Sequence, residues 1–313
     1  MDLILLFPGQ GSQKPGMARD LADAFPEAKA ALGVVDDALG HAFTRVMFEG
    51  PAEELTATHN AQPALLAHGA AAWAVIRDRA LPLVRAAAGH SLGEYTAWHA
   101  TGALDLGDAV RLVRRRGELM HDAGVATPGT MAAILGTLER PVDELCEEAS
   151  RDAGRVVAAN YNSDEQIVIS GEIAGVERAM ELAREAGAKR ALRLAVAGAF
   201  HSPLMAPAAA GLSEAIERTA FGNPAFPVYS NVSASPVAEA GEGRRLLAQQ
   251  LTSPVRWAQL VRSMAERWPQ AVWVELGPGA VLGALVARLV RGARTLGCGT
   301  TTDVEKLLTT LPA

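Results

Sequence analysis

The sequence predicts an α/β fold in which helices cover both faces of a parallel sheet and a small subdomain is inserted into a larger domain. Three observations support this prediction. Short apolar runs alternate with helical patterns over residues 1–124, as in parallel sheets. A serine between two glycines follows one of these runs and precedes a helical pattern. Residues 125–197 follow the order strand, helix, strand, strand, helix, strand, which is that of a ferredoxin-like unit.

The first part of the chain begins with an apolar run over residues 3–7, which stops at Pro8-Gly9. We interpret this run as the first buried strand, because it is too short for a signal or transmembrane segment and has no basic residues before it. The other elements predicted here are helices over about 18–39, 62–79, 92–100 and 108–122 and a buried strand over 83–88.

Residues 125–197 are predicted to be the inserted subdomain, so that 1–124 and 198–313 form the larger domain. The predicted strands of the insert are 130–136, 156–160, 166–170 and 190–195, its helices are 141–151 and 174–186, and its polar turn is 162–164. The elements predicted after it are strands near 228–230 and 271–276, a surface loop over 233–243, a turn at 277–279 and a last long helix over 280–291.

The composition is that of an ordinary globular enzyme, since 49% of the 313 residues are hydrophobic and 20% are charged. The net charge of −6 argues against a general nucleic-acid binder. Cys146 and Cys298 have no metal or redox spacing, so we expect both to be small buried residues in a reducing compartment. We therefore expect a cytoplasmic protein with neither nucleic acid nor membrane as a partner.

Ser91 lies in Gly89-His90-Ser91-Leu92-Gly93, which matches the pattern GxSxG. This pattern bends a strand sharply into a helix and exposes the serine hydroxyl above the edge of the sheet. A serine placed there can attack an acyl carbon, and the helix N-terminus behind it can stabilise the negative charge that develops. The strand predicted before it and the helix predicted after it are the required context, so we predict that Ser91 is a nucleophile.

Arg116 occupies the apolar side of the helix predicted over 108–122. The other residues of its stripe are Ala109, Leu112, Val113 and Met120. A guanidinium directed to the interior is costly unless an anion meets it, and its planar fork suits a carboxylate. The spacing leaves open whether that carboxylate belongs to an internal Asp or Glu or to a substrate. The closeness of this helix in sequence to the one after Ser91 favours the substrate.

His201 is the best candidate for a general base among the seven histidines. It follows a predicted strand, has small residues before it and precedes Ser202-Pro203, a plausible start of a helix. His90 adjoins Ser91, but neighbouring side chains on an extended segment point to opposite faces. The histidines that we expect to be surface or packing residues are His41, His59, His68, His99 and His121. No acidic third member is obvious, so an asparagine, a glutamine or a backbone carbonyl could hold the imidazole.

The turn over residues 7–13 contains glycines that let its backbone approach a ligand closely, although a simple tight turn is the plainer interpretation. The ends of neighbouring strands meet at one edge of an α/β sheet. A backbone N–H of this turn could therefore join that of Leu92 in binding an oxyanion.

Together these motifs resemble the malonyl-CoA:acyl carrier protein transacylases of fatty acid synthesis and the related acyltransferase domains of polyketide synthases. They run in family order from residue 7 to residue 279. The matching segments are Phe7-Pro8-Gly9-Gln10-Gly11-Ser12-Gln13, Gln62-Pro63-Ala64-Leu65, Gly89-His90-Ser91-Leu92-Gly93-Glu94-Tyr95, Arg116-Gly117, Asn160-Tyr161-Asn162-Ser163, Ala199-Phe200-His201-Ser202-Pro203-Leu204-Met205, Ser253-Pro254-Val255-Arg256-Trp257 and Glu275-Leu276-Gly277-Pro278-Gly279.

The resemblance implies an α/β-hydrolase-like large domain with a ferredoxin-like insert, and it implies roles for particular residues. These roles are Ser91 as nucleophile, His201 as its base, the backbone amides of Gln10 and Leu92 as the oxyanion hole, Arg116 as the clamp on the free malonyl carboxylate, Gln250 as the residue whose main-chain carbonyl orients His201, and Gln62, Asn162 and Phe200 as pocket-lining residues. Phe200 matches the malonyl-type pattern, so methylmalonyl is disfavoured, with plain packing as the alternative for this side chain.

The activity implied by the resemblance is that of an [acyl-carrier-protein] S-malonyltransferase. A malonyl group would pass from malonyl-CoA through a malonyl-serine intermediate to the pantetheine thiol of an acyl carrier protein, without a metal or bound cofactor. Carrier proteins of this kind are acidic, so a basic docking patch is expected. The candidates are Lys189, Arg190 and Arg193, or Arg114 and Arg115, with ordinary surface charge as the alternative. The family also implies a monomer.

Other functions remain as alternatives. A serine hydrolase or thioesterase shares the elbow, but it normally has a histidine near its C-terminus, and no histidine follows His201. A noncatalytic binding module would be expected to lack Ser91, His201 or Arg116. The sequence does not separate fatty acid synthesis from a polyketide assembly line or from the malonyltransferase component of a malonate decarboxylase.

Overall fold

Two β-sheets of different kinds organise the chain, whose computed structural model describes residues 1–312. The strands are β1 (Leu3–Phe7), β2 (Val84–Gly89), β3 (Thr130–Leu135), β4 (Val156–Ser163), β5 (Gln166–Gly171), β6 (Arg190–Arg193), β7 (Val228–Tyr229), β8 (Pro236–Val237), β9 (Val272–Glu275) and β10 (Arg294–Gly297). The helices are α1 (Arg19–Ala24), α2 (Pro26–Leu39), α3 (Thr44–Glu49), α4 (Ala52–Thr56), α5 (Thr58–Ala80), α6 (Gly93–Ala100), α7 (Leu106–Ala126), α8 (Val142–Asp152), α9 (Ile173–Glu185), α10 (Ala206–Arg218), α11 (Ala240–Gln249), α12 (Trp257–Arg267), α13 (Val281–Leu289) and α14 (Thr301–Thr310).

The large sheet has the order β10-β9-β1-β2-β7-β8, and its neighbouring strands are parallel except for β8, which runs antiparallel to β7. Every residue of the central strand β1 is buried, because helices cover both faces of the sheet. Alternate side chains enter different cores. Leu5 and Phe7 join the core under α2, α5 and α7, whereas Ile4 and Leu6 join the core under α12 and α13. The predicted mixed α/β architecture with a parallel sheet is confirmed.

The bend from β2 into α6 depends on two glycines. A Cβ on Gly89 would overlap the backbone of Gly93, and a Cβ on Gly93 would overlap the carbonyl group of Phe7. The backbone N–H of His90 donates to the Phe7 carbonyl over 3.0 Å, which holds the end of β1 against the bend. Glycine at both positions therefore brings Ser91 to the edge of the sheet beside the turn that follows β1.

The small sheet is antiparallel throughout, with the order β4-β5-β3-β6, and α8 and α9 cover one of its faces. Apolar side chains of that face, such as Ile134 and Ile169, form a core of their own. Met131 and Val168 belong instead to the core of the large sheet. The small sheet is therefore fixed against the rest of the molecule, and β4 is further joined to it by two backbone hydrogen bonds with Val255.

The structure corrects several boundaries predicted from the sequence. The helix predicted over 18–39 is interrupted at Phe25, which is extended because Pro26 follows it. The predicted turn over 162–164 is shorter, since β4 continues through Ser163. The strand predicted over 190–195 ends at Arg193.

The predictions fail more seriously towards the C-terminus. The surface loop predicted over 233–243 contains β8, where Val237 is buried, and the first turn of α11. The helix predicted as the last one, α13, is followed by β10 and α14. β10 extends the large sheet beside β9, and the Thr300 side chain caps α14 by accepting from the Asp303 N–H. Within residues 1–312, no helix is both long enough and apolar enough to cross a membrane.

Candidate active site

The nucleophile elbow is held by an asparagine from a neighbouring strand end. Ser91 has a positive φ of 52°, a strained conformation for a residue with a side chain. Its backbone N–H donates to Asn231 Oδ1 over 2.7 Å, and Asn231 Nδ2 donates to the Gly89 carbonyl over 2.7 Å. Asn231 follows β7, which lies beside β2 in the sheet, so it braces the elbow from both sides of Ser91.

His201 contacts Ser91 directly, with 2.7 Å between His201 Nε2 and Ser91 Oγ. The other ring nitrogen, Nδ1, lies 3.0 Å from the Gln250 carbonyl oxygen and 3.1 Å from the Ser253 carbonyl oxygen. Carbonyl oxygens only accept, so the proton of the neutral ring belongs on Nδ1. Nε2 is then free to accept the proton of Ser91 Oγ, which is the arrangement a general base requires.

Burial and, after it, the nearby positive charge of Arg116 together lower the pKa of His201 to about 3. The ring is therefore neutral at physiological pH and available as a base. Its backbone has a positive φ of 56°, and Ser202 caps the 3₁₀ turn Pro203–Met205 that follows. The strained residue is thus followed by a capped 3₁₀ turn, which leads into α10.

Arg116 is 1% exposed, and its guanidinium is held by neutral groups. Nη1 donates to Gln62 Oε1 over 2.8 Å, while Nη2 donates to Ser91 Oγ and to Gln250 Oε1, each over 3.0 Å. No Asp or Glu within residues 1–312 forms an ion pair with it, although burial lowers its pKa. A buried guanidinium without an ionic partner beside a nucleophile is a binding position for an external anion.

Two backbone N–H groups beside Ser91 remain available to a ligand. Across residues 1–312, neither the N–H of Gln10 nor that of Leu92 donates to a protein acceptor. Leu92 immediately precedes α6, so the partial positive charge of the helix N-terminus adds to its N–H. The N–H of Ser91 itself is already used by Asn231. These two groups are the donors that could stabilise an oxyanion on a bound acyl group.

These groups line a cavity of about 450 Å³ between the two sheets. Its lining residues are Gln10, Gly11, Gln13, Thr56, His90, Ser91, Leu92, Arg116, Met120, Met131, Asn160, Leu194, Ala195, Val196, Phe200 and His201. Phe200 is among these lining residues, together with the apolar side chains of Met120, Met131, Leu194 and Val196. The cavity combines a serine and its base with a cation, so it is suited to acyl transfer from a substrate that carries an anionic group.

Two residues predicted to line the pocket lie behind it instead. Gln62 is fully buried and holds Arg116 on one side and Met120 Sδ on the other. Asn162 pairs with His90 Nε2 over 2.8 Å, and it is Asn160 that reaches the cavity. The register of β4 shifts on either side of Tyr161, so simple alternation along the strand does not decide which asparagine faces the ligand.

The sequence reasoning missed Asn231 and Glu94. No local motif marks Asn231. It does follow a strand of the parallel sheet, and functional side chains are common at the carboxyl ends of such strands. Glu94 lies three residues after Ser91 and is 1% exposed.

Both cysteines are free and buried, as predicted.

Comparisons with known proteins agree with this geometry. A family model described as acyl transferase domain matches residues 4–305. The malonyl CoA-acyl carrier protein transacylase of Bacillus subtilis (strain 168) is 41% identical over 309 residues, which cover 99% of this chain and 97% of the relative. The acyl-carrier-protein-S-malonyltransferase of Bartonella henselae is 40% identical, with a TM-score of 0.94 and 99% of each chain covered.

A second solved structure holds a malonyl-transacylase in complex with its type II PKS acyl-carrier protein in the holo form. It is 39% identical to this chain, with a TM-score of 0.93 and 99% of each chain covered. Its match, like the others, extends over nearly the whole length of both proteins. The chain therefore belongs to the acyl transferase family and, within it, to the malonyl CoA-acyl carrier protein transacylases.

Proposed function

We propose that this protein transfers a malonyl group from malonyl-CoA to the pantetheine thiol of an acyl carrier protein. The observation that carries the proposal is the position of Arg116, a buried cation whose Nη2 lies 3.0 Å from Ser91 Oγ and which forms no ion pair within residues 1–312. In a malonyl thioester, one methylene separates the free carboxylate from the carbonyl carbon that a nucleophile attacks. A cation beside the nucleophile therefore favours malonyl over acyl groups that lack the carboxylate.

In the first half-reaction, Arg116 binds the carboxylate and Ser91 Oγ attacks the thioester carbon. His201 Nε2 takes the proton of Ser91, and the N–H groups of Gln10 and Leu92 stabilise the oxyanion of the tetrahedral intermediate. When the C–S bond breaks, the imidazolium returns this proton to the sulfur of CoA. The product is an ester between the malonyl group and Ser91.

In the second half-reaction, the pantetheine thiol of the carrier protein gives its proton to His201 and attacks the ester. The same two N–H groups stabilise the second tetrahedral intermediate, and the proton passes to Ser91 Oγ as the ester bond breaks. The main-chain carbonyl of Gln250 keeps the His201 ring in the required tautomer throughout. CoA serves only as the carrier of the substrate, and the scheme uses no metal or bound cofactor.

We also propose that residues 1–124 and 198–313 form an α/β-hydrolase-like catalytic domain and that 125–197 form a ferredoxin-like subdomain; Ala313 lies outside the described residues. The separate core and the strand order of the small sheet support this division. Limited proteolysis tests this division. First cuts inside a strand of the small sheet, rather than in the connections 127–129 and 194–198, would contradict the boundaries.

The test of the proposed function is the intact mass of the protein after brief incubation with malonyl-CoA and again after addition of holo carrier protein. We expect a malonyl mass gain on the peptide that contains Ser91, followed by its transfer to the carrier. A gain that decays equally fast without carrier would indicate a thioesterase. The blank is Ser91→Ala, which should gain no malonyl mass. If the wild-type protein also gains no malonyl mass, the proposal is overturned.

A further inference from the structure

A glutamate lies beneath the nucleophile elbow, and among residues 1–312 no Lys, Arg or His is close enough to form an ion pair with it. Glu94, in the first turn of α6, is 1% exposed. Its Oε2 accepts from the backbone N–H of Asn231 over 3.0 Å and from Gln250 Nε2 over 2.7 Å. Burial raises its pKa to about 7. A carboxylate kept where ionisation is costly is more typical of a functional site than of a core.

The side-chain amide of Gln250 lies between this carboxylate and Arg116. Its Nε2 donates to Glu94, and its Oε1 accepts from Arg116 Nη2. A guanidinium can only donate, whereas a carboxylate can only accept, so the two neighbours together permit one orientation of the amide. Without an acceptor at residue 94, Nε2 would keep only its longer bond of 3.1 Å to the Ser91 carbonyl, and rotation of the amide, which would cost Arg116 an acceptor, would be less strongly opposed.

Glu94 is also linked to Ser91 through the two residues to which it is hydrogen-bonded, Asn231 and Gln250. The backbone N–H that Glu94 accepts belongs to Asn231, whose side chain holds the N–H of Ser91. Gln250 Nε2 in addition donates to the carbonyl of Ser91 over 3.1 Å. One carboxylate thus fixes two residues that set the relative position of the nucleophile and the cation.

We propose that Glu94 is a positioning residue that holds Arg116 in its malonyl-binding orientation through the side-chain amide of Gln250. Glu94 is not among the residues that line the cavity, so its effect on transfer passes through the residues to which it is hydrogen-bonded. The inference rests on the proposed function, because the orientation of Arg116 matters to the reaction only if Arg116 binds the substrate carboxylate.

The first test compares Glu94→Met, which removes the acceptor at residue 94, with the wild-type protein in Ser91 acylation by malonyl-CoA and by acetyl-CoA. We expect kcat/KM for malonyl-CoA to fall about tenfold more than kcat/KM for acetyl-CoA, the order expected for one hydrogen bond to a charged group. The matched control is Glu275→Met, since Glu275 is also 1% exposed and accepts two backbone N–H groups, those of Leu282 and Gly283, at the start of α13. The control should lose about as much thermal stability as the variant at residue 94. Its malonyl preference, the ratio of kcat/KM for malonyl-CoA to that for acetyl-CoA, should stay unchanged.

The second test is a double-mutant cycle with Gln250→Met, which keeps the main-chain carbonyl that contacts His201. Gln250→Met alone should lower the malonyl preference, and adding Glu94→Met should lower it no further. The Gln250→Met arm keeps the inference testable even if Glu94→Met alone does not fold. Additive effects, an unchanged preference in Gln250→Met, or equal losses for both acyl groups would overturn the role of Glu94. A wild-type protein that forms no malonyl adduct would instead overturn the proposed function.

Discussion

Arg116 donates to the hydroxyl of Ser91 over 3.0 Å, so the cation and the nucleophile are in direct contact before any substrate arrives. Ser91 Oγ is also 2.7 Å from His201 Nε2, and the charge of Arg116 helps to lower the pKa of that histidine. A carboxylate that binds Arg116 would offset this charge. We therefore expect malonyl binding to make His201 more basic at the stage when it must accept a proton.

The first prediction concerns Arg116→Ala. Loss of the cation should lower kcat/KM for malonyl-CoA about 100-fold or more, because one partner of a buried charge pair is worth roughly 2–5 kcal/mol. The rate of Ser91 acylation by acetyl-CoA should change far less, as measured by intact mass over time. Arg114→Ala is the matched control on the same helix, since Arg114 pairs with Glu118 at the surface. Equal losses for the two acyl groups would remove Arg116 from carboxylate binding.

The second prediction concerns the pH dependence of acylation by acetyl-CoA. The base must be neutral, and burial together with Arg116 lowers the pKa of His201 to about 3. A lowered pKa moves the acid limb of the kcat/KM profile to lower pH, so the wild-type rate should stay level from pH 8 down to about pH 5. In Arg116→Ala, the limb should move up towards the ordinary histidine value near 6.5. A wild-type limb already centred near 6.5 would contradict the low pKa.

Local patterns predicted the parts of the site that depend on local geometry. Ser91 followed from the glycines that bend β2 into α6, and Arg116 followed from the helical spacing that puts it among buried residues of α7. The spacing left the source of the carboxylate open. The structure bears on the choice between an internal carboxylate and that of a substrate, because the hydrogen-bond acceptors around Arg116 are neutral. These acceptors are Gln62, Ser91 and Gln250.

The failures of prediction depend on tertiary contacts. Whether Gln62 or Asn162 faces the ligand is decided by how α5 packs on α7 and by the irregular register of β4, neither of which a motif records. Asn231 is a single asparagine in a polar segment, and it matters because β7 pairs with β2 and brings it beneath the elbow. The edge strand β10 is only partly buried, so its apolar pattern is weak.

The third prediction concerns Asn231→Ala, which removes both side-chain contacts to the elbow. The Ser91 N–H and the Gly89 carbonyl would lose their partners, and a buried unsatisfied polar group costs about 1–3 kcal/mol. We expect a loss of at least about 2 kcal/mol in the free energy of unfolding by urea, together with slower acylation of Ser91. Asn223→Ala is the control, because Asn223 also accepts a backbone N–H but at an exposed position. A similar loss of stability in both variants would contradict the bracing role of Asn231.

The fourth prediction concerns docking of the acidic carrier protein. β6 leads directly into Leu194, Ala195 and Val196, which line the cavity, so the basic residues of this strand lie on the segment that enters the cavity wall. Within residues 1–312, Lys189 and Arg190 are exposed and form no ion pair with the protein, whereas Arg193 pairs with Glu177. Arg114 and Arg115 both pair with Glu118. The two cations at 189 and 190 are therefore the better candidates to attract a carrier.

The variant that tests this docking surface is the double substitution Lys189→Glu and Arg190→Glu. We expect KM for the holo carrier to rise several-fold at low ionic strength, because reversing charge at a rim weakens electrostatic association. The difference from wild type should shrink at high salt, while formation of the malonyl-serine ester from malonyl-CoA should not change. Arg114→Glu with Arg115→Glu is the matched control on α7. If the α7 control raises KM for the carrier while the variant at 189 and 190 does not, the docking surface lies along α7. If the kinetics with the carrier do not depend on salt in any variant, neither basic patch is the docking surface.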